Sequence, residues 1–285
     1  MTNKQINIVH VIVNEHGAIF ADLIDLLTDA LLQAGFQVRH SRNQMIQGMV
    51  NIIIGHTFVL KPEDFTAIRN TGVPYIVFQM EALDEHHGFT QKIPFYLDFL
   101  LASQQVWDYS PTNVRFLTER GCSDVRQIPI GYSGRLERIV HAETKDIDIL
   151  FYGATTPRRQ IILEQFKQRG AKVMNMFRAY GPERDRMIAR ARIVLNLHQF
   201  DLPHLEEVRI AYLLNNHCFV LSEISDYNPY GEGVVFCEYD KLVECGLSYL
   251  RPAMDMERAR VVEAGYKAIK EIPTVQSIQA ALAGV

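Results

Sequence analysis

Residues 146–159 read DIDILFYGATTPRR, and the fold is decided there. Asp148–Tyr152 is an almost uninterrupted apolar run, the pattern of a strand covered on both faces of a parallel sheet. Gly153–Thr156 forms a loop. Pro157 suits the first turn of a helix, where its missing N–H costs nothing, and the helix runs to Arg169, with Gly170 as its stop. Lys172–Met176 then reads as the next strand. Strand, glycine loop, helix and strand within about thirty residues make a βαβ unit. The alternation continues through a helix near Glu183–Ala191, a strand at Ile193–Leu197, a helix at Leu205–Asn215 and a strand at Cys218–Leu221. A weak strand at Val234–Cys237 and helices near Met256–Ile272 close the chain.

The same grammar runs in the other direction. Ile6–Val13 reads as a strand, and Ile19, Leu23, Leu26, Leu27, Ala30, Leu31 and Ala34 recur at helical spacing before Gly35, a left-handed cap. Strands follow at Gln37–His40, Met49–Ile54, Tyr75–Gln79, Val106–Tyr109 and Val125–Ile128. Helices are predicted from Pro62, near Pro94–Ala102 and at Pro111–Arg120. Turn formers collect in Pro129–Gly134. The prediction is an α/β chain of two Rossmann-like domains with parallel sheets facing a central cleft. Its parts are residues 1–133, residues 134–255, and terminal helices over 256–285 that cross back toward the first domain.

Composition narrows the function. With 48% hydrophobic and 22% charged residues the chain has enough apolar material for two cores. A net charge of −4 provides no basic field for nucleic acid. The N-terminal residues are unlike a secretory signal, and no window approaches the roughly 20 apolar residues of a membrane span. A cytoplasmic protein is expected, with peripheral membrane contact left open. Cys122, Cys218, Cys237 and Cys245 have no CxxC spacing and read as reduced thiols. Neither GxGxxG nor a P-loop is present, which argues against dinucleotide oxidoreductases and ATPases. His86-His87, beside Glu81, Asp84 and Glu85, lack a metal-binding spacing.

A run of spaced segments resembles the GT-B glycosyltransferases, in particular the bacterial group-1-like and CgeB-like branch. The segments are NIIIGH (51–56), VFQMEAL (77–83), VWDYSPTN (106–113), IPIGY (128–132), DIDILFYGATTPRR, YGPERDRMIARARIVLNLH (180–198) and EEVRIAYLLNNHCFVLSE (206–223). The resemblance implies metal-independent transfer of a sugar from a nucleoside-diphosphate donor to a hydroxyl of a glycan, lipid-linked or small-molecule acceptor. No cofactor is expected. The alternative is a catalytically silent nucleotide-sugar-binding subunit or sensor. The chain is short for this fold, which suggests a minimal acceptor domain completed by a partner.

Candidate residues follow from position. Gly153, lacking a side chain, would let phosphate or ribose approach the backbone, and Arg158 and Arg159 at the following helix start would neutralise a diphosphate. Tyr180-Gly181 lies where this fold cradles the nucleobase. His198 ends a strand and would donate to a phosphate or sugar hydroxyl. Glu206, Arg209 and Tyr212 share a helix face at steps of three. Glu206, or the adjacent Glu207, and Glu223 match the two acids of the family motif, and the later one would hold the ribose. An inverting enzyme needs a base on the acceptor domain. Glu81 and His16 lead, ahead of Glu15 and Asp108, the last of which could simply organise the turn before a helix.

Overall fold

The computed structural model describes residues 4–12, 18–58, 61–85, 90 and 95–285. The chain divides into two compact units, residues 1–130 with 273–285, and residues 131–272.

In the first unit the apolar runs become buried parallel strands: β1 (Gln5–His10), β2 (Gln37–Arg42), β3 (Val50–Ile54), β4 (Tyr75–Gln79), β5 (Gln105–Asp108) and β6 (Val125–Gln127). They lie in the order β2-β1-β3-β4-β5-β6, every neighbouring pair parallel. Helices α1 (Ala21–Gln33), α2 (Pro62–Asn70), α3 (Tyr96–Leu101) and α4 (Pro111–Glu119) connect the strands. α1 turns Leu23, Leu26, Leu27, Ala30 and Leu31 inward, the periodic positions of the sequence. On one face of the sheet Val9, Ile53, Val77 and Val106 form a core with Phe65, Phe99 and Leu117 from the helices.

The second unit repeats the theme with β7 (Ile147–Tyr152), β8 (Val173–Met176), β9 (Ala191–Asn196), β10 (Val220–Glu223) and β11 (Val235–Cys237). Their order is β11-β10-β9-β7-β8, again all parallel. α5 (Pro157–Gln168), α6 (Gly181–Arg190) and α7 (Glu207–Asn215) follow β7, β8 and β9 in turn, α8 (Leu242–Tyr249) follows β11, and α9 (Asp255–Glu271) comes after it. Ile149, Phe151, Ile193, Leu195 and Leu221 from the sheet meet Ile162, Phe166, Leu242 and Val261 from the helices. The α/β class, with two parallel-sheet Rossmann-like units in tandem, is therefore what the structure shows.

Local chemistry explains where element boundaries differ from the sequence prediction. β10 starts at Val220 rather than Cys218 because α7 closes in a Schellman motif. His217 adopts a left-handed φ of 51°, its N–H reaches Leu214 O at 3.2 Å, and Cys218 N–H reaches Leu213 O at 3.0 Å. Residues 131–141 belong to the second unit because two adjacent asparagines at the end of α7 hold them. Asn215 Oδ1 accepts from Ser133 N at 2.9 Å, Asn216 Oδ1 from Arg138 N and Ile139 N at 2.9 Å each, and Asn216 Nδ2 donates to Leu136 O at 2.7 Å. The terminal helices separate. α9 stays in the second unit, where a Cβ on Gly265 would lie 2.7 Å from Gly233 O, so only glycine allows its close approach to the 231–233 turn. The last helix, α10 (Thr274–Leu282), packs on α1 in the first unit, and Ala281 O accepts from Gln105 Nε2 at 3.0 Å.

Candidate functional site

In the strand order of the second unit, β7 is flanked by β8 and β9, so the order in which strands are added reverses between β7 and β9. Open α/β sheets bind ligands outside the carboxyl ends of their strands at such a point. Gly153 follows β7 there with φ 140°, outside the range most side chains adopt, and a Cβ on it would lie 3.0 Å from Arg209 Nη2. The space left by the missing side chain is thus held by the Arg209 guanidinium, which also lies 5.4 Å and 5.6 Å from the Tyr152 and Phe151 ring centroids.

Arg209 is half-buried and belongs to a chain of hydrogen bonds across the edge of the sheet. Its Nη1 donates to Asn196 Oδ1 at 3.0 Å, and Asn196 Nδ2 donates to Glu206 Oε2 at 2.8 Å and to Ser222 Oγ at 3.0 Å. Glu206 is the N-cap of α7 and meets His198 Nδ1 at 3.1 Å and Arg159 Nη2 at 3.4 Å. Burial alone would raise the Glu206 pKa. The hydrogen bond from His198 and the charges of His198, Arg209 and Arg159 overcome it and bring the carboxyl down to about 2.

The structure assigns different work to several predicted ligands. His198 is buried, with Nδ1 on the Glu206 carboxylate and Nε2 2.9 Å from Ile224 O. Both ring nitrogens face acceptors, which is the environment of an imidazolium. Burial lowers its pKa, but the bond to Glu206 and the nearby carboxylates outweigh that and raise it. With both nitrogens engaged, His198 supplies charge and rigidity and has no hydrogen bond to offer a phosphate. Arg159, at 3% exposure, turns inward rather than toward an anion: Nε and Nη2 donate to Leu197 O at 2.9 and 2.6 Å, and Nη1 to Ala154 O at 2.8 Å. Arg158 closes on Glu223 with both terminal nitrogens, Nη1–Oε2 being 2.6 Å, and its guanidinium lies 4.0 Å from the Tyr239 ring centroid. Glu223 therefore holds an arginine, and its Oε2 also accepts from His198 N at 3.2 Å. Glu207, the other candidate for the first acid, is buried and takes the Tyr227 hydroxyl.

Tyr212 does not continue the Glu206–Arg209 face into the site. It is 1% exposed, its hydroxyl donates to Asp185 Oδ1 at 2.7 Å, and Arg184 lies 3.9 Å from its ring centroid. Arg209 lies at the sheet edge three residues on from Glu206, whereas Tyr212 lies a further turn along α7, among groups of α6. Tyr180 is the N-cap residue of α6, and Gly181, at φ 53°, has open space where a Cβ would project. Just before them Phe177 is 62% exposed, with Arg178 5.2 Å from its ring centroid. Phe177 and Asn196 escaped the sequence analysis. An aromatic residue just past a strand's carboxyl end was the available signal for Phe177; for Asn196 there was none beyond its place in VLNLH.

The first unit carries its own polar cluster at the ends of β4 and β5. Asp108, fully buried, accepts from Ser110 N at 2.7 Å, Gln79 Nε2 at 2.8 Å and Asn113 Nδ2 at 2.9 Å. Gln79 Oε1 receives the N–H groups of Met80 and Glu81 and the Tyr96 hydroxyl, while Glu81 O receives Gln79 Nε2 and Asn113 Nδ2. The backbone of Glu81 is thereby fixed and its side chain left half-buried. Asp108 organises this turn, as its Ser-Pro context suggested. Burial pushes its carboxyl up to about 8 against the three donors. His16 and Glu15, like His86 and His87, lie outside the described residues. Among those described, no three His, Cys, Asp or Glu side chains converge as metal ligands, and no helix is long and apolar enough to cross a membrane.

Comparison with known proteins gives the fold a family context. No family model matches the chain. In sequence it is similar to an uncharacterised protein of Acanthamoeba polyphaga mimivirus, at 29% identity over 175 residues, covering 55% of this chain and 56% of that one. A second mimivirus protein is 33% identical over 107 residues, 35% of this chain and 12% of the relative. The chain thus spans about half the length of the first relative and far less of the second. These relatives are viral and lend no support to a bacterial branch. Among solved structures, Anabaena HepE in complex with UDP and glucose aligns over 98% of both chains, with a TM-score of 0.67 and 10% identity. An alpha-glucosyltransferase in complex with UDP and DNA aligns over 99% of this chain and 100% of its own, at a TM-score of 0.62 and 9% identity. The lipopolysaccharide outer core galactosyltransferase WaaB aligns at 0.54 and 8% identity over 98% of this chain. The α/β layout of two parallel-sheet Rossmann-like units matches that of these GT-B glycosyltransferase structures in fold.

Proposed function

We propose that the chain transfers a glycosyl group from a nucleoside-diphosphate sugar to a hydroxyl acceptor without a metal. The observation that carries this is Arg209, a cation whose hydrogen-bond partner is a neutral amide, seated on Gly153 at the switch point of the second sheet. A diphosphate there would meet the guanidinium and the N-terminal end of α5, where the helix dipole favours negative charge. As the anomeric C–O bond to the diphosphate breaks, charge grows on the leaving oxygen, and a fixed cation stabilises that state more than the ground state. Phe177 and the Tyr180-Gly181 turn would receive the base. The acceptor oxygen forms the new bond and gives its proton to a general base, for which the candidates read from the sequence are Glu81 and His16.

Thermal stabilisation by UDP, GDP, ADP, TDP and CMP, with and without EDTA, tests the proposal, because a ligand bound by the native state raises the melting temperature. One nucleotide should stabilise strongly, unaffected by EDTA. Loss of the effect in EDTA would overturn metal independence, and no stabilisation by any nucleotide would overturn the site. Glu81→Gln and His16→Ala then separate enzyme from silent subunit: one of them should lose turnover of the corresponding nucleotide-sugar and keep its affinity. A wild-type protein that binds the donor and turns over none would be a binding subunit.

A further inference from the structure

We infer that Asn196 is a positioning residue that stands between Arg209 and Glu206 and prevents a direct ion pair, keeping the guanidinium over Gly153 for the anionic ligand; the inference rests on the diphosphate site proposed above. Glu206 and Arg209 are three residues apart at the start of α7, a spacing at which acid and base ordinarily pair directly. Here they do not. Asn196, fully buried as the last residue of β9, stands between them, accepting from Arg209 Nη1 at 3.0 Å and donating to Glu206 Oε2 at 2.8 Å.

Only one orientation of the amide satisfies both neighbours. A guanidinium has no acceptor and a carboxylate no donor, so the oxygen faces Arg209 and the nitrogen Glu206. Ser222 locks the choice, since its hydroxyl donates to Glu223 O at 2.8 Å and so presents a lone pair to Asn196 Nδ2 at 3.0 Å. The Glu206 carboxylate is drawn the other way, toward His198 at 3.1 Å and Arg159 at 3.4 Å. With its acid neighbour occupied, Arg209 rests on Gly153. Without the amide, Glu206 and Arg209 would close into an ion pair and the site would lose its available cation.

Isothermal titration of the full chain with UDP, and with uridine as a probe lacking phosphate, tests this. Asn196→Ala should weaken UDP binding about tenfold or more and leave uridine binding within twofold. Glu206→Gln introduced into that variant should restore UDP affinity to within about threefold, because the competing carboxylate is gone; a general loss of structure would not be repaired this way. Should Asn196→Ala fail to fold, the isosteric Asn196→Asp serves: a carboxylate facing Arg209 should lower UDP affinity by a similar factor and flatten its dependence on salt. UDP affinity unchanged in a folded Asn196 variant, or no recovery in the folded double variant, overturns the role of Asn196 and leaves the diphosphate site standing. If the wild-type protein binds none of UDP, GDP, ADP or TDP, the diphosphate site falls and this inference with it.

Discussion

Asp108 in the first unit and Glu206 in the second are both carboxylates at the carboxyl edge of a parallel sheet, and their surroundings push them in opposite directions. Asp108 is caged by neutral donors, two side-chain amides and one backbone N–H, and burial raises it to about 8. Glu206 faces His198, Arg209 and Arg159, and falls to about 2. Burial acts on both in the same sense; the presence of cations decides the outcome. The first cluster is a neutral frame that fixes a turn, whereas the second is a charged one that gathers cations around a carboxylate.

Acidity offers the strongest way to break this comparison. The Asp108 pKa is higher folded than its ordinary 3.8, so the folded first unit holds a proton that the unfolded chain releases, and stability falls as pH rises from about 4 to about 8. The displacement corresponds to on the order of 5 kcal/mol. Hydrogen exchange across a pH series should show the first unit loosening over that window, and Asp108→Asn should flatten the trend. Glu206 runs the other way. Its pKa is depressed from 4.5 to about 2, so it contributes roughly 3 kcal/mol above pH 4.5 that is lost as pH falls through about 2. The second unit should therefore loosen in acid while the first tightens, and Glu206→Gln should remove that acid limb. His198, raised from 6.5, adds stability below that pH which disappears as pH rises through its folded value.

Smaller effects sharpen the distinction between binding and framing. Gly153→Ala would force a Cβ to 3.0 Å from Arg209 in a strained backbone. UDP affinity should drop about tenfold, roughly 1.4 kcal/mol, in titration calorimetry, with a smaller change in melting temperature. Tyr212→Phe removes the bond to Asp185 and should cost about 1 kcal/mol in urea unfolding while leaving UDP affinity unchanged. A fall in affinity would return Tyr212 to the site.

Much of the fold could be read from residues because parallel strands buried on both faces must be continuous apolar runs, and Ile52–Ile54, Ile76–Phe78 and Ile149–Phe151 are. The exceptions have local causes. α8 went unseen because LVECGLSY is short and carries a glycine, and β10 was placed early because a histidine does the work usually given to glycine. Gly153, His198, Glu206, Arg209 and Glu223, singled out by their sequence order, lie at one edge of the second sheet. What order could not reveal is which of these groups neutralise one another. Arg158 with Glu223, His198 with Glu206, and Arg159 with the carbonyls of Leu197 and Ala154 join residues from different elements, and those pairings depend on rotamers and packing. The amide frame of Gln79, Asp108 and Asn113 was hidden for the same reason.

The most direct test of the central claim is a crystal structure of the protein with the nucleoside diphosphate that raises its melting temperature most. The diphosphate is expected against Gly153, within hydrogen-bonding distance of the Arg209 guanidinium, with Arg159 still on its backbone carbonyls and Asn196 still between Arg209 and Glu206. A diphosphate bound away from the carboxyl ends of β7 and β9, or one held there with Arg209 turned onto Glu206, would contradict it.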